Sequence, residues 1–354
     1  MRKIFILLLA SICFSVFAQV PQGYYNSAEG KTGAELKTSL YQIIKNHNAL
    51  SYGDLWGAFQ NTDKKPNGKV WDMYSDVPEG VPPYEYTFGT NQCGNYSKEG
   101  DCYNREHSVP ESWFNKENPM RTDLFHLYPT DGYVNNKRDN YPYGEVKNAS
   151  WTSRNGSKLG SSNMTGYTKT VFEPIDEYKG DFARTYFYMV TRYEDKVSTW
   201  NSDMFNKTAY PSFTDWSITI LLKWHRQDPV SEKEIARNNA VYQYQHNRNP
   251  FIDRPEFAEC IWADCEPSVI NKELFENEDI EIVIETITKK MIISVKREIL
   301  KLEIYSLTGQ KVISQTSEYA HTETVDIFAM QKGIYIVKIY LVDKVISKKI
   351  VLLL

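Results

Sequence analysis

The sequence has few histidines and few cysteines, and it has no long apolar run beyond the first residues. Only 6 histidines and 5 cysteines occur among 354 residues, and no two cysteines have CxxC spacing. After the first residues, no stretch approaches the roughly 18 consecutive apolar residues that a membrane-spanning helix needs. We therefore expect no transmembrane segment in the mature protein, and the missing CxxC spacing argues against a common type of zinc site.

An excess of positive charge is missing as well. The formal net charge is −4; the first 18 residues contribute +2, and residues 271–354 carry 12 basic and 12 acidic groups, which leaves −6 for residues 19–270. Proteins that bind a polyanion by neutralising its charges usually have a basic face. Any affinity for nucleic acid should therefore be modest and should depend strongly on salt.

The N-terminus has the pattern of a secretory signal peptide. In MRKIFILLLASICFSVFAQV, basic residues precede an apolar run, and the small residues Val16 and Ala18 precede Gln19. The run is too short and wrongly flanked for a membrane span, and a buried N-terminal helix is the alternative interpretation. We expect residues 1–18 to be removed on export, so that the mature protein reaches the periplasm and then the cell surface or the medium.

Four cysteines remain in the mature chain, in two pairs that are close in sequence: Cys93 with Cys102, and Cys260 with Cys265. Disulfides form and persist in the oxidising compartments that an exported chain meets. A zinc site is the alternative, but the nearest histidine, His107, has another expected role. We predict two local disulfides, the first of which fixes the start of the strand that follows it.

The densest group of polar and aromatic residues lies between Asn104 and Val146. Its first part, NREHSVPESWF, places Glu106 and His107 side by side in a short β-prone run that Pro110 ends. Neighbouring residues on a regular strand point to opposite faces. Both side chains can therefore serve one site only at the end of a strand or at a bulge.

The second part, DLFHLYPTDGYVNNKRDN, is expected to be a loop that leads into a short helix. Pro129 fits the first turn of a helix, and the side chains of Thr130 and Asp131 can cap free backbone N–H groups. Asn135 and Asn136 then lie about one turn into the helix. The expected order is strand, loop and helix.

This combination suits hydrolysis of a phosphodiester, which needs a base, a divalent cation and a positive group that holds the phosphate. His107 is the candidate base, because neutral imidazole accepts a proton near neutral pH. Mg²⁺ prefers oxygen ligands and keeps several waters, so Glu106 and Asn135 are the candidate ligands for Mg²⁺ or for another divalent cation such as Mn²⁺ or Ca²⁺. Arg138 or Arg121 would hold the phosphate.

These two runs resemble the endonuclease I family of secreted and periplasmic bacterial nucleases, which has a ββα-metal, or His-Me finger, active site. The similarity continues in VFEPIDEYKGDFARTYFYMVTRY and WHRQDPVSEKEIARNNAVYQYQHNRNPFIDRPEF, and covers about residues 52–262. It implies that His107 is the general base and that Asn135 binds the metal with help from Glu106. It also implies a non-specific, metal-dependent endonuclease that acts on DNA, with RNA left open as a substrate.

The rest of this region is expected to be mostly helical. Apolar spacing predicts helices between Ala34 and Ala58, from Asp181 to Tyr193 and from Thr214 to His225. We expect His126 to be structural, because a mechanism with one metal and one base needs no second imidazole. The predicted fold is α+β: a mostly helical nuclease domain, residues 19–266, built around a ββα-metal core.

A change in composition follows Cys265. Residues 267–278 are polar and are expected to be a linker, and residues 279–354 contain short alternating runs at regular spacing, which predicts a small β-sandwich. LEIYSLTGQKV, MQKGIYIVKI and KKIVLLL resemble the C-terminal sorting domain of the type IX secretion system. That resemblance implies export by the type IX machinery, and an accessory binding module is the alternative.

Two other functions compete with the nuclease. One is a secreted adhesion or binding protein with an aromatic, acidic surface, and the other is a metallohydrolase of a different phosphate ester. The sequence favours the nuclease, because REH on a strand followed by VNxxR on a helix has no evident purpose in an adhesin.

Overall fold

The structure is a computed structural model that describes residues 20–162, 164–263, 265, 280–285, 289–307, 309–331 and 333–352, with the backbone alone of residues 271–275. The expected signal peptide, residues 1–18, lies outside the described residues. The chain divides into two compact units, with the boundary between Trp262 and Ala263. The first unit contains helices and short strands, and the second contains strands.

Eight α-helices of the first unit are described. They are α1 (Gly33–Ile44), α2 (Leu55–Thr62), α3 (Gly132–Arg138), α4 (Lys179–Arg192), α5 (Asp215–Gln227), α6 (Glu232–Gln245), α7 (Pro250–Asp253) and α8 (Glu256–Trp262).

Helix α4 is the centre of this unit, and all of its residues are buried. Its apolar residues, among them Phe182 and Phe187, lie in the core, while its charged residues pair with neighbouring segments. Arg184, for instance, forms an ion pair with Glu234 of α6 at 2.5 Å. Such pairing is what allows a helix with charged side chains to lie inside a protein, because an unpaired buried charge is costly.

Two strands pair next to α3. Strand β1 (Tyr103–His107) runs antiparallel to β2 (Leu127–Asp131), with Glu106 opposite Tyr128 and His107 opposite Leu127. Residues 127–131 were expected to belong to a loop, and this prediction was wrong because they form β2. Pro129 is compatible with a strand here because β2 is an edge strand, where proline is tolerated.

The ββα arrangement continues directly from β2 into α3. Asp131 is the last residue of β2 and also the N-cap of α3, since its side chain accepts a hydrogen bond of 2.8 Å from the N–H of Val134. Thr130 and Pro129 belong to the strand and do not begin the helix. A separate antiparallel sheet follows in the order β3 (Val146–Thr152), β4 (Lys158–Ser162) and β5 (Thr170–Glu173).

The second unit is a six-stranded antiparallel sheet. Its strands are β6 (Asn271–Phe275), β7 (Ile280–Glu285), β8 (Lys290–Ser306), β9 (Lys311–Asp326), β10 (Gly333–Leu341) and β11 (Val345–Leu352). Strand β8 pairs with β7 through its first half and with β10 through its second half, and its pairing with β9 is irregular between Ser294 and Ile299. Ile282 of β7 and Ile339 of β10 pair with different halves of β8, and both belong to one apolar core.

The predicted α+β class is confirmed, with a strand-rich C-terminal domain after a largely helical one. Strand β6 lies inside residues 267–278, which were expected to be a linker, so that part of the prediction needs correction. Both predicted disulfides are present: Cys93 is bonded to Cys102, and Cys260 and Cys265 are also disulfide-bonded.

Candidate active site

A cavity of about 250 Å³ is lined by residues of β1 and α3 and of neighbouring segments. Its lining contains four of the five predicted catalytic or metal-binding residues: Glu106, His107, Asn135 and Arg138. His107 is the last residue of β1, which meets the requirement that adjacent residues share a site only at a strand end. The remaining lining residues are Tyr52, Tyr96, Arg105, Pro110, Glu111, Asn136, Asp139 and Asn140.

The ring of His107 is held by one hydrogen bond. Its Nε2 lies 3.0 Å from the main-chain oxygen of Arg121. A carbonyl oxygen only accepts hydrogen bonds, so Nε2 carries the hydrogen and Nδ1 of the neutral ring keeps its lone pair. Burial, and then the charge of nearby His126, lowers the pKa of His107 to about 3, which keeps the ring neutral near pH 7.

Glu106 is buried beside Arg138. One carboxylate oxygen, Oε1, accepts a hydrogen bond of 2.9 Å from the hydroxyl of Tyr74 and lies 3.3 Å from Nη1 of Arg138. Burial raises the pKa of Glu106 to about 7, and the charge of Arg138 only partly opposes this shift. The other oxygen, Oε2, has no hydrogen-bond partner among the described residues, so it is available to a cation.

Asn135 lies one turn into α3, as predicted. Its Nδ2 donates a hydrogen bond of 2.7 Å to Oδ1 of Asn104 on β1, which leaves Oδ1 of Asn135 available as a ligand. The next residue, Asn136, is more exposed and also lines the cavity. The bond between β1 and α3 therefore fixes the orientation of the Asn135 amide.

The residues around the cavity fit a hard divalent cation. Glu106 and Asn135 supply one carboxylate and one amide oxygen, a donor set that suits an ion that keeps several waters. Within the described ranges, no cluster of three or more His, Cys, Asp and Glu residues could hold a metal, so a cation here would rest on this smaller set.

The two arginines proposed as alternative phosphate clamps have different environments. Arg138 is 1% exposed, and its guanidinium donates to the main-chain oxygens of His107 and Ser108. The side chain of Arg121 is 35% exposed, with Nε 2.9 Å from a carboxylate oxygen of Glu111. Arg121 is therefore accessible to a substrate, whereas Arg138 ties the end of β1 to α3.

Tyr52 connects several groups at this site. Its ring is stacked on that of His107 with 6.1 Å between ring centroids. The guanidinium of Arg121 lies 4.4 Å from the Tyr52 ring centroid, and that of Arg105 lies 3.7 Å from it. One ring thus contacts the candidate base and two cations, which concentrates positive charge at the cavity despite the acidic total.

Four residues of this site were not predicted from the sequence: Tyr52, Asn104, Arg105 and Glu111. Asn104 could have been found, since it lies two residues before Glu106 on the same face of β1. Tyr52 is some fifty residues upstream in a separate segment, and nothing in its neighbourhood marks it. His126, expected to be structural, is fully buried with Nε2 2.6 Å from the main-chain oxygen of Met120.

Comparisons with known proteins find nucleases to which this chain is similar. The profile of the Endonuclease I family matches residues 32–256. An extracellular ribonuclease of Bacillus subtilis (strain 168) is 36% identical over 243 residues, which is 68% of this chain and 78% of that protein. An extracellular ribonuclease of Bacillus amyloliquefaciens is 37% identical over 243 residues, which is again 68% of this chain and 78% of that protein. A periplasmic deoxyribonuclease of Aeromonas hydrophila is 27% identical over 139 residues, 39% of this chain and 49% of that protein.

The C-terminal unit matches a different profile. A secretion system C-terminal sorting domain matches residues 287–353, and this match supports secretion of the chain. In the described part of the chain, no helix has both the length and the apolar character needed to cross a bilayer.

Proposed function

We propose, from the premise that this chain belongs to the endonuclease I family and is a secreted nuclease, that it is a non-specific endonuclease dependent on a divalent cation and active on both RNA and DNA. Relatives named as ribonucleases and a relative named as a deoxyribonuclease support the breadth of substrate. The adhesion alternative is set aside because the family is one of enzymes.

In the proposed mechanism His107 takes a proton from the attacking water through Nδ1. The support is the hydrogen bond from Nε2 to the Arg121 carbonyl, which fixes the tautomer and the orientation of the ring. The low pKa keeps the base unprotonated before reaction. General-base catalysis of this kind typically contributes about 10²- to 10⁴-fold in rate.

Glu106 and Asn135 would hold the cation, through Oε2 and Oδ1 respectively. When bound, a divalent cation stabilises negative charge on the phosphate and on the leaving oxygen. Asn104 orients the Asn135 amide, and Tyr74 with Arg138 fixes the Glu106 carboxylate. The protein thus supplies two oriented oxygens, and the preferred ion, taken to be Mg²⁺, is part of the proposal.

We assign the phosphate clamp to Arg121. Its guanidinium is partly exposed, lies on the Tyr52 ring and is oriented by Glu111. The main-chain oxygen of the same residue holds His107, so base and clamp are connected through one residue. Arg138 acts as a positioning residue, because its Nη1 and Nη2 donate to main-chain oxygens inside the protein.

The observation that carries this proposal is the shared cavity of Glu106, His107 and Asn135, with one free acceptor atom on each residue. The test is incubation of the mature protein with supercoiled plasmid and with RNA, in Mg²⁺, in EDTA, and after Mg²⁺, Mn²⁺ or Ca²⁺ is restored. Both substrates should be degraded in Mg²⁺ and left intact in EDTA.

A matched control separates the site from contamination by another nuclease. His107→Ala should abolish most of the cleavage, whereas His321→Ala, at an exposed histidine of the second unit, should leave it unchanged. Equal cleavage by the two variants, or cleavage that persists in EDTA, would contradict the proposed mechanism.

A further inference from the structure

A second cavity, of about 450 Å³, adjoins the candidate active site. Tyr52 and Arg105 line both cavities, so the two cavities are adjacent. Trp56, Gln92 and Asn104 line the second cavity and not the first. Its volume lies within the roughly 300 to 1,000 Å³ that is usual for small-molecule sites.

Arg105 lines both cavities, and contacts with its neighbours hold its guanidinium in place. Its guanidinium lies 3.7 Å from the ring centroid of Tyr52 and 4.6 Å from that of Trp56, and Nη1 donates a hydrogen bond of 2.7 Å to the main-chain oxygen of Tyr52. Among the described residues, the Arg105 guanidinium has no other hydrogen-bond acceptor, and no carboxylate oxygen lies within 4.0 Å of it. Arg105 is thus a pre-positioned cation with free donors.

Positive charge at this point exceeds the negative charge that surrounds it. Arg105 and Arg121 lie on the same Tyr52 ring. The nearest counter-charge is Glu111, which pairs with Arg121 at 2.9 Å and with Lys116 at 3.1 Å. Among the described residues, Arg121 shares the Glu111 carboxylate with Lys116 and Arg105 has no ion-pair partner, so the two guanidinium groups can bind more than one anionic group.

The walls of the second cavity suit the rest of a nucleotide. The Trp56 ring is held by edge contacts with Phe59 and Tyr103, and it is only partly buried. Gln92 donates through Nε2 to the Tyr103 hydroxyl at 3.1 Å, which leaves its amide oxygen available to a base or sugar. Aromatic rings and amides of this kind bind nucleotides with little preference for the base.

We propose that Arg105 and the adjoining cavity form a subsite for the nucleotide next to the scissile phosphodiester. Arg105 binds the neighbouring phosphate, and the cavity lined by Trp56, Gln92 and Asn104 takes its nucleoside. This inference rests on the proposed nuclease function. It adds that the enzyme also binds the nucleotide next to the bond that it cleaves.

The test compares Arg105→Gln with a matched arginine elsewhere on the surface. Arg154 also lies on a tyrosine ring, 5.1 Å from the centroid of Tyr84, and donates to a main-chain oxygen, that of Pro83, at 3.2 Å. It lines neither of the two cavities. Steady-state rates of the full mature enzyme on a synthetic octanucleotide, measured between 50 and 200 mM salt, give both KM and the salt dependence.

For Arg105→Gln we expect KM on the octanucleotide to rise about tenfold, the equivalent of one charge-assisted hydrogen bond. The slope of log(kcat/KM) against log[salt] should become shallower by about 0.7, as expected when one phosphate contact to a single strand is lost. Arg154→Gln should match the wild type in both quantities. A purely structural role for Arg105 would not change the salt slope.

A second variant covers the case in which Arg105→Gln does not fold, as judged by its melting temperature. Arg105→Lys keeps the charge and loses the planar fork, so the salt slope should be retained while KM still rises. The subsite is refuted, while the nuclease function stands, if the wild type cleaves the octanucleotide and the variant has an unchanged KM. The variant is Arg105→Gln, or Arg105→Lys where Arg105→Gln does not fold. If wild type itself cleaves neither RNA nor DNA, the proposed function fails first.

Discussion

Replacing Arg138 by methionine tests whether this arginine holds β1 and α3 together or binds the substrate phosphate. In the structure, the guanidinium donates to two main-chain oxygens at the end of β1 and pairs with Glu106 at 3.3 Å. Methionine fills a similar space but provides no donor. The change therefore removes a donor from the carbonyl oxygens of His107 and Ser108, of which Ser108 keeps the hydroxyl of Tyr186, and it removes the cation beside a buried carboxylate.

The expected cost follows from these contacts. Breaking a buried ion pair by removing one partner typically destabilises a protein by about 3 to 5 kcal/mol. Since the pKa of Glu106 is raised to about 7 even beside Arg138, the carboxyl can take up a proton when the cation is lost, so we expect the lower end, about 3 kcal/mol. In Glu106→Gln/Arg138→Met neither charge is present, and the loss should be smaller than the sum of the single losses by about 1 to 3 kcal/mol.

Urea unfolding in EDTA at pH 8, followed by tryptophan fluorescence, measures these free energies. All eight tryptophans lie between Trp56 and Trp262, so the signal reports on the first unit alone. The reasoning is refuted if Arg138→Met unfolds at the wild-type urea concentration, or if the effects of the two single variants simply add. An enzyme of unchanged stability with a raised KM would instead make Arg138 the clamp.

Four shorter predictions follow from the same structure. His107→Ala should lower the cleavage rate about 10²- to 10⁴-fold with little change in melting temperature; near-normal cleavage would remove His107 from the mechanism. Asn135→Ala should lose activity that added Mg²⁺ restores only partly, while Asn136→Ala is milder; the reverse order would mean that the ligand is misassigned. Residues 19–270 alone should fold and cleave nucleic acid, and a chain of residues 1–270, which keeps the signal peptide, should not reach the medium; an insoluble 19–270 product would place the domain boundary elsewhere. Cys93→Ser opens a loop of about ten residues, which should cost up to about 2.5 to 3 kcal/mol in the free energy of unfolding, read as a lower melting temperature.

The parts of the site that the sequence predicted are local. A strand that ends at His107 and a helix with Asn135 in its second turn both follow from short runs, because strand alternation and helix capping act over a few residues. Strand β2 was missed, since Pro129 favours a loop or a helix start and only the pairing with β1 reveals an edge strand.

The rest of the site depends on contacts between distant segments. The burial of Arg138 follows from the β1 carbonyl oxygens, some thirty residues earlier, that its guanidinium meets. Tyr52 and Arg121 lie about seventy residues apart and meet at 4.4 Å only after folding. Neither arginine differs from an ordinary surface arginine when judged by its sequence neighbours, so sequence reasoning could offer both as clamps and could not choose between them.

The hydrogen bond from His107 to the main-chain oxygen of Arg121 has a consequence for mutation and inheritance. Every amino acid supplies that oxygen, so the orientation of the base does not depend on which side chain is encoded at position 121. A codon change there can alter the contact with substrate while the partner of the base persists. The two contributions of this residue can therefore drift independently, and substrate preference can diversify between related enzymes without loss of the catalytic base.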